Sequence, residues 1–232
     1  MPLASCHISG IFSLSGGFRY TEPAYYAEYL SSLEFPVDHK FINVSVRKFT
    51  PSSESLLPDN SFVFMVAKAA LPAEEDGMLD SIYCTPFNPS SEGSEQPITA
   101  NPTHTAFVTG TVRSVNSDGP IRSFTLTTGE FVRGEARTFD IRFVLSLKPA
   151  YTSCLLTCAH ISFKYDGTSN RWKNVRLPVA GSIVTATGTF EDMFGEEDNN
   201  PVLNLLDVNY GATNDSVAHS PTRTVGHRGV QR

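Results

Sequence analysis

Between His104 and Tyr210, apolar side chains recur at every second residue, segment after segment. A period of two puts alternate side chains on opposite faces of an extended chain, so this stretch is committed to strands. In Phe107–Val115, Val108 and Val112 share one face while Thr109, Thr111 and Arg113 take the other. In Thr138–Leu147, Phe139, Ile141, Phe143 and Leu145 alternate with Asp140 and Arg142. Ser123–Val132, Gly181–Phe190 and Pro201–Tyr210 complete the set, and Asn116-Ser117-Asp118-Gly119-Pro120 reads as a turn. Sixteen Phe, eight Tyr and many Val and Thr favour strands throughout the chain.

The first half is less regular. His7–Leu14, Phe41–Phe49 and Ser61–Leu71 read as strands, the last apolar on both faces and so placed inside a sheet or between layers. Pro23–Leu33 is expected to form one short helix, because Tyr25, Tyr26, Tyr29, Leu30 and Leu33 make a stripe at helical spacing behind an N-terminal proline. Those tyrosines read as packing residues. Residues 86–103, rich in Pro, Ser, Asn and Glu, read as a linker or long loop. The expected organisation is an N-terminal β-rich region over 1–85, the linker, a barrel over 104–210 and a disordered tail over 211–232.

The net charge of −6 speaks against a uniformly basic nucleic-acid binder, but the charge is unevenly placed. Residues 1–110 carry 5 Lys/Arg against 12 Asp/Glu, residues 111–176 carry 10 against 5, and residues 177–232 carry 3 against 7. The middle is a basic island of +5 between segments of −7 and −4, the pattern of a localised electrostatic footprint or simply of solvated strand faces. No apolar run approaches the ~20 residues of a bilayer-spanning helix. Met1–Gly10 lacks the pattern of a secretory signal. The four cysteines Cys6, Cys84, Cys154 and Cys158 are too few and too scattered for a secreted disulfide framework. A nuclear or cytoplasmic location is expected.

The layout of 104–210 resembles an oligonucleotide-binding (OB) fold. A long first strand with a glycine in its middle (Gly110), two meander strands, an insertion, then "PVAGSIVTATGTF" and a closing strand are similar to the single-stranded DNA-binding proteins and the replication protein A family. Glycines before and within the fourth strand, here Gly181 and Gly188, recur in those proteins where the barrel bends. The resemblance implies a mainly β fold, an OB-like Greek-key barrel with additional N-terminal strands and one short helix. It also implies single-stranded nucleic acid as partner, with DNA favoured. The long segment 149–180, where such folds carry a helix, departs from the pattern, and a β-sandwich is the alternative.

Single-strand binders combine a basic groove with aromatic rings that stack on bases. Lys164, Tyr165, Arg171, Trp172 and Lys173 have that composition, with Trp172 between two cations; the other reading has Trp172 closing the barrel floor. Arg113, Arg122 and Arg142 fall on or beside the outward face of the first three barrel strands, which this fold uses for ligands. These eight residues are the candidate nucleic-acid-binding set. Cys154, Cys158 and His160 tempt a zinc reading, but in a strand Cys154 and Cys158 stand about 13 Å apart, too far for one tetrahedral ion. The acidic run Glu191, Asp192, Glu196, Glu197, Asp198 reads as an exposed loop. No nucleophile elbow, phosphate loop or His-Glu-x-x-His is present. No catalysis, metal or cofactor is expected. A protein-interaction or homo-oligomeric assembly module is the alternative function.

Overall fold

The computed structural model describes residues 4–22, 25–35, 40–73, 75–87, 104–117, 122–145, 176–192 and 201–210. Ten strands run through them: β1 (Ser5–Arg19), β2 (Tyr26–Phe35), β3 (Lys40–Phe49), β4 (Ser61–Ala70), β5 (Gly77–Pro86), β6 (Thr105–Asn116), β7 (Arg122–Val132), β8 (Glu135–Leu145), β9 (Ile183–Asp192) and β10 (Val202–Tyr210). Their hydrogen-bonded order is β2-β3-β5-β4-β1-β6-β7-β8-β10-β9, with β2 also pairing β1 and β6 also pairing β9.

Those two extra pairings close the sheet on itself twice. Within each set of five the order is first, second, third, fifth, fourth and back to the first. The third and fifth strands are parallel in both sets (β3 with β5, β8 with β10), and every other pairing is antiparallel. This is the five-stranded Greek-key closure of an OB-like barrel, present twice. Closure by β6 and β9 replaces the β-sandwich alternative.

One correction concerns residues 23–33. From Tyr26 onward the segment is strand β2, not a helix. Residues four apart lie on one face of a strand as well as of a helix, so Tyr29 and Leu33 satisfy both patterns. Burial separates them: Ala27, Tyr29 and Leu33 are buried, whereas Tyr25 and Leu30 are 58% and 59% exposed. Strand β5 also went unread. A bulge opposite Val66 and Ala67 breaks its alternation and leaves Ile82 and Tyr83 both exposed.

Each barrel encloses its own core. Phe12, Leu14, Tyr29, Val46, Met65 and Leu79 fill the first, and Leu57 N–H donates to the Tyr29 hydroxyl at 3.1 Å. In the second, Phe124 and Phe143 stack at 5.3 Å beside Val112, Leu126, Phe190 and Leu203.

The barrels are joined through β1, whose Ser5–Ser9 pair with Thr105–Thr109 of β6 while His7–Leu14 pair with β4. At Gly110 the strand β6 passes from β1 to β7. A Cβ there would stand 2.6 Å from the Thr127 carbonyl oxygen, so only glycine lets β7 approach. The expected linker, apart from its first residues, and the expected tail lie outside the described residues, as does 146–175.

His104 seals the joint. It is 2% exposed, its ring lies 4.5 Å from that of Phe12, and Nε2 donates to the Ile11 carbonyl at 3.0 Å. Nδ1 is buried without a partner among the described residues. Burial therefore lowers its pKa to about 4, against a smaller opposing effect of the Ile11 hydrogen bond. The unfolded chain, with an ordinary histidine, binds a proton between about pH 6.5 and 4 that the fold refuses. Stability from this group is complete above pH 6.5 and is lost as pH falls toward 4, a swing of about 3 kcal/mol. Urea titrations of the wild type and His104→Gln across that range should diverge by this amount, with the variant, which keeps a donor for Ile11, showing the flatter limb.

Candidate nucleic-acid interface

Alternation in the second barrel turns Arg113 of β6 and Arg142 of β8 away from the buried Val112, Ile141 and Phe143. Across the sheet, Ser114 beside Arg113 is in register with Thr125, which is in register with Arg142. Arg113 is not an open cation: it donates to Asp140, which also accepts from the Thr127 hydroxyl at 2.6 Å. Arg122 opens β7 near Tyr210; burial raises the Tyr210 phenol and the Arg122 charge opposes that rise. Lys164, Tyr165, Arg171, Trp172 and Lys173 lie outside the described residues, as do Cys154, Cys158 and His160.

Two further arginines of the basic island, Arg133 and Arg137, lie outside the candidate set. Strands β7 and β8 meet in a two-residue turn, Arg133-Gly134, with φ of 55° and 85°. Both central residues are left-handed, the turn type whose twist suits a hairpin and whose second position suits glycine. The tip of this hairpin reaches the first barrel. Arg133 N–H donates to the Asp80 carboxylate at 2.8 Å, and its guanidinium meets Glu28 at 3.3 Å and the Ser45 hydroxyl. Arg137 pairs with Glu75 at 3.3 Å and with Glu135 at 3.0 Å. Further along β7, Glu130 accepts from the Cys6 amide at 3.2 Å and lies 3.5 Å from the Lys68 ammonium. Arg133 and Arg137 of the described basic island are thus matched to the acidic half of the same chain.

The outer face of β2 and β3 in the first barrel carries a second feature. Tyr26 and Phe49 are register partners whose rings meet edge to face at 5.8 Å, and the Arg47 guanidinium lies 4.9 Å from the Tyr26 ring centre. Phe49 is 57% exposed; Phe41, at the other end of β3, is 63% exposed, and Tyr25, just before β2, is also in solvent. Arg47 is fixed by a two-pronged pair with Asp80, Nε donating at 2.9 Å and the second prong coming from a terminal nitrogen. The next register pair along is Glu28–Arg47, and Glu28 holds Arg133, so the aromatic platform and the hairpin tip are neighbours. The helical reading of 23–33 hid this: only a strand puts Tyr26 opposite Phe49.

A different surface covers β4 and β5. Phe62, Phe64 and Tyr83 are 40–55% exposed, with Phe64 and Tyr83 in edge contact at 6.4 Å, and Phe87 follows at the end of β5.

No group of three or more His, Cys, Asp or Glu among the described residues is arranged to hold a metal. Burial, reinforced by Glu130, holds the Cys6 thiol well above its ordinary range, and burial also raises Cys84. Neither is an activated nucleophile.

No protein-family model matches the sequence, and no curated protein does. Among solved structures, the wild-type single-stranded DNA-binding protein from Thermus aquaticus is similar, with 12% identity over 97% of this chain and 97% of that one, at a TM-score of 0.47. A deletion variant of the same protein gives 9% identity over 93% of this chain and 98% of that one, at a TM-score of 0.49. The barrel assignment stands on the strand order, closure and parallel third–fifth pairing described above.

The hairpin contact has a measurable strength. Arg133→Ala leaves Glu28, whose side chain is 14% exposed, with the Tyr20 and Ser45 hydroxyls as its donors among the described residues. A loss of about 1–2 kcal/mol is expected from a charge-assisted bond in that setting. Denaturation of the single variants and of Glu28→Gln/Arg133→Ala closes the cycle, and coupling near zero would show that the pair contributes nothing.

Proposed function

We propose that this chain binds single-stranded nucleic acid, DNA in preference to RNA, without catalysing a reaction. The observation that carries the proposal is the aromatic platform of Tyr26 and Phe49, with Arg47 against the Tyr26 ring, on the outer face of the second and third strands of a closed five-stranded barrel. That face is where OB architecture takes oligonucleotides, a fold-level analogy. Exposed rings are what make it receptive: a ring face accepts any base, and each stacked base contributes roughly 1–3 kcal/mol. In this reading the strand leaves the platform past the β7–β8 hairpin and runs over the second barrel. Arg122 and Arg142 there, and Arg113 once it leaves Asp140, neutralise phosphates; Lys164, Arg171 and Lys173 add to them in this proposal, with Trp172 and Tyr165 as further stacking rings.

A second reading has its own observation. Phe62, Phe64, Tyr83 and Phe87 form an exposed apolar strip along β4 and β5, which suits assembly with another protein or a second copy.

Fluorescence anisotropy with a short mixed-sequence DNA strand separates the two. Binding should weaken steeply with salt, each neutralised phosphate adding roughly −0.7 to the log–log slope. Duplex of the same sequence should bind less well, because its bases are already stacked. Phe49→Ala should lose roughly 1–3 kcal/mol of binding. Its melting temperature should hardly move, because the ring is already 57% exposed. Phe62→Ser should leave strand binding unchanged. No association at low salt with DNA or RNA, together with an oligomer that Phe62→Ser dissolves, would replace this function with assembly.

A further inference from the structure

Arg47 and the two hairpin arginines are held differently. Arg47 gives its Asp80 partner both Nε and a terminal nitrogen, the complete fork that a carboxylate or phosphate can fill. Arg133 and Arg137 meet carboxylates only through terminal nitrogens: Arg133 to Glu28, Arg137 to Glu75 and Glu135. The Nε–H of each is buried and has no acceptor among the described residues. A buried donor without an acceptor is costly, and a two-pronged oxyanion would satisfy it together with a terminal nitrogen.

Both arginines belong to the hairpin joining the second and third strands of the second barrel; Glu28 on Arg133 and Glu75 on Arg137 lie in the first, while Arg137 also keeps Glu135 of its own strand. From this asymmetry we infer that the first barrel masks two further cations of the second, Arg133 and Arg137, that a bound strand would take. Glu28 and Glu75 stand in for phosphates on Arg133 and Arg137, and an incoming strand exchanges phosphate for carboxylate at both. The inference rests on the single-strand reading and adds to it a built-in competitor. In the unliganded chain the hairpin is docked and its charge is matched. When a strand is bound, the phosphates take the Nε forks and the tip leaves Asp80. The contact is self-inhibitory, and it sets a threshold of strand charge density below which the hairpin stays closed.

The test compares the full chain with Glu75→Gln, Glu28→Gln and the double variant, using a fluorescein-labelled oligothymidylate in a salt series. Glu75 is 63% exposed on its side chain, so its variant folds without difficulty and stands as the reference if Glu28→Gln is unstable. Removing the competitors should tighten binding several-fold at low salt. The salt slope should steepen by up to roughly 0.7 for each arginine released. Adding Arg133→Ala and Arg137→Ala to the double variant should abolish the gain. In parallel, hydrogen exchange at the Arg133 amide, bonded to Asp80, should quicken when oligothymidylate binds.

If the wild type binds but neither affinity nor slope changes in Glu75→Gln and the double variant, masking is overturned while single-strand binding stands. Weaker binding by the variants would overturn it too, by showing that the carboxylates position the hairpin for the strand. An Arg133 amide equally protected with and without the strand has the same force. Binding by the variants alone would support masking in its strongest form. No binding by any chain overturns the single-strand reading and this inference together.

Discussion

The pairing of β1 with β6 holds the rest of the structure in place. Ser5–Ser9 of β1 lie against Thr105–Thr109 of β6, and the register turns about the central pair His7–Phe107. Mid-strand glycines stand three residues beyond each member of that central pair, Gly10 in β1 and Gly110 in β6. Main-chain hydrogen bonds therefore make one sheet of two barrels. His104 enters that joint from the second barrel and packs on Gly10 and Phe12 of the first. Ridged close packing at Gly10, where a Cβ would stand 2.6 Å from the His104 ring, leaves no slack for the barrels to slide.

On that fixed frame, charge sorts itself. The acidic first half and the basic middle of the sequence are complementary surfaces of a single molecule. Arg133, Arg137 and Glu130 reach from the second barrel to Glu28, Glu75, Asp80 and Lys68 in the first. The segment charges alone suggested a footprint for an outside polyanion. Geometry gives two of those cations, Arg133 and Arg137, partners inside the molecule.

How far the sequence could be read depended on how cleanly each strand alternates. β6 and β8 bury one face and wet the other, so the second barrel and its bending point at Gly110 were legible. The first barrel was hidden by two local accidents. In β2, Tyr29 and Leu33 are spaced so that helix and strand predict the same face, and only the exposure of Leu30 separates them. In β5, the bulge swaps the faces midway. Arg113 and Arg142 could be placed outward from alternation alone, but the Asp140 partner of Arg113 lies two strands away and its contact depends on register. The platform was beyond reach for the same reason: Tyr26 and Phe49 are 23 residues apart in sequence and meet only after β2 and β3 have paired. Arg133 has a left-handed backbone, which composition does not announce, although its following glycine marks the turn.

Double closure has a consequence for the behaviour of the chain at high concentration. An open sheet of ten strands would present two terminal strands whose unpaired amides and carbonyls recruit further chains. Here each of the ten has at least two neighbours, since β2 returns to β1 and β9 returns to β6. The described strands thereby keep their main-chain recruiting groups within the molecule's own outline, and growth into fibrils through them would first require one barrel to come open.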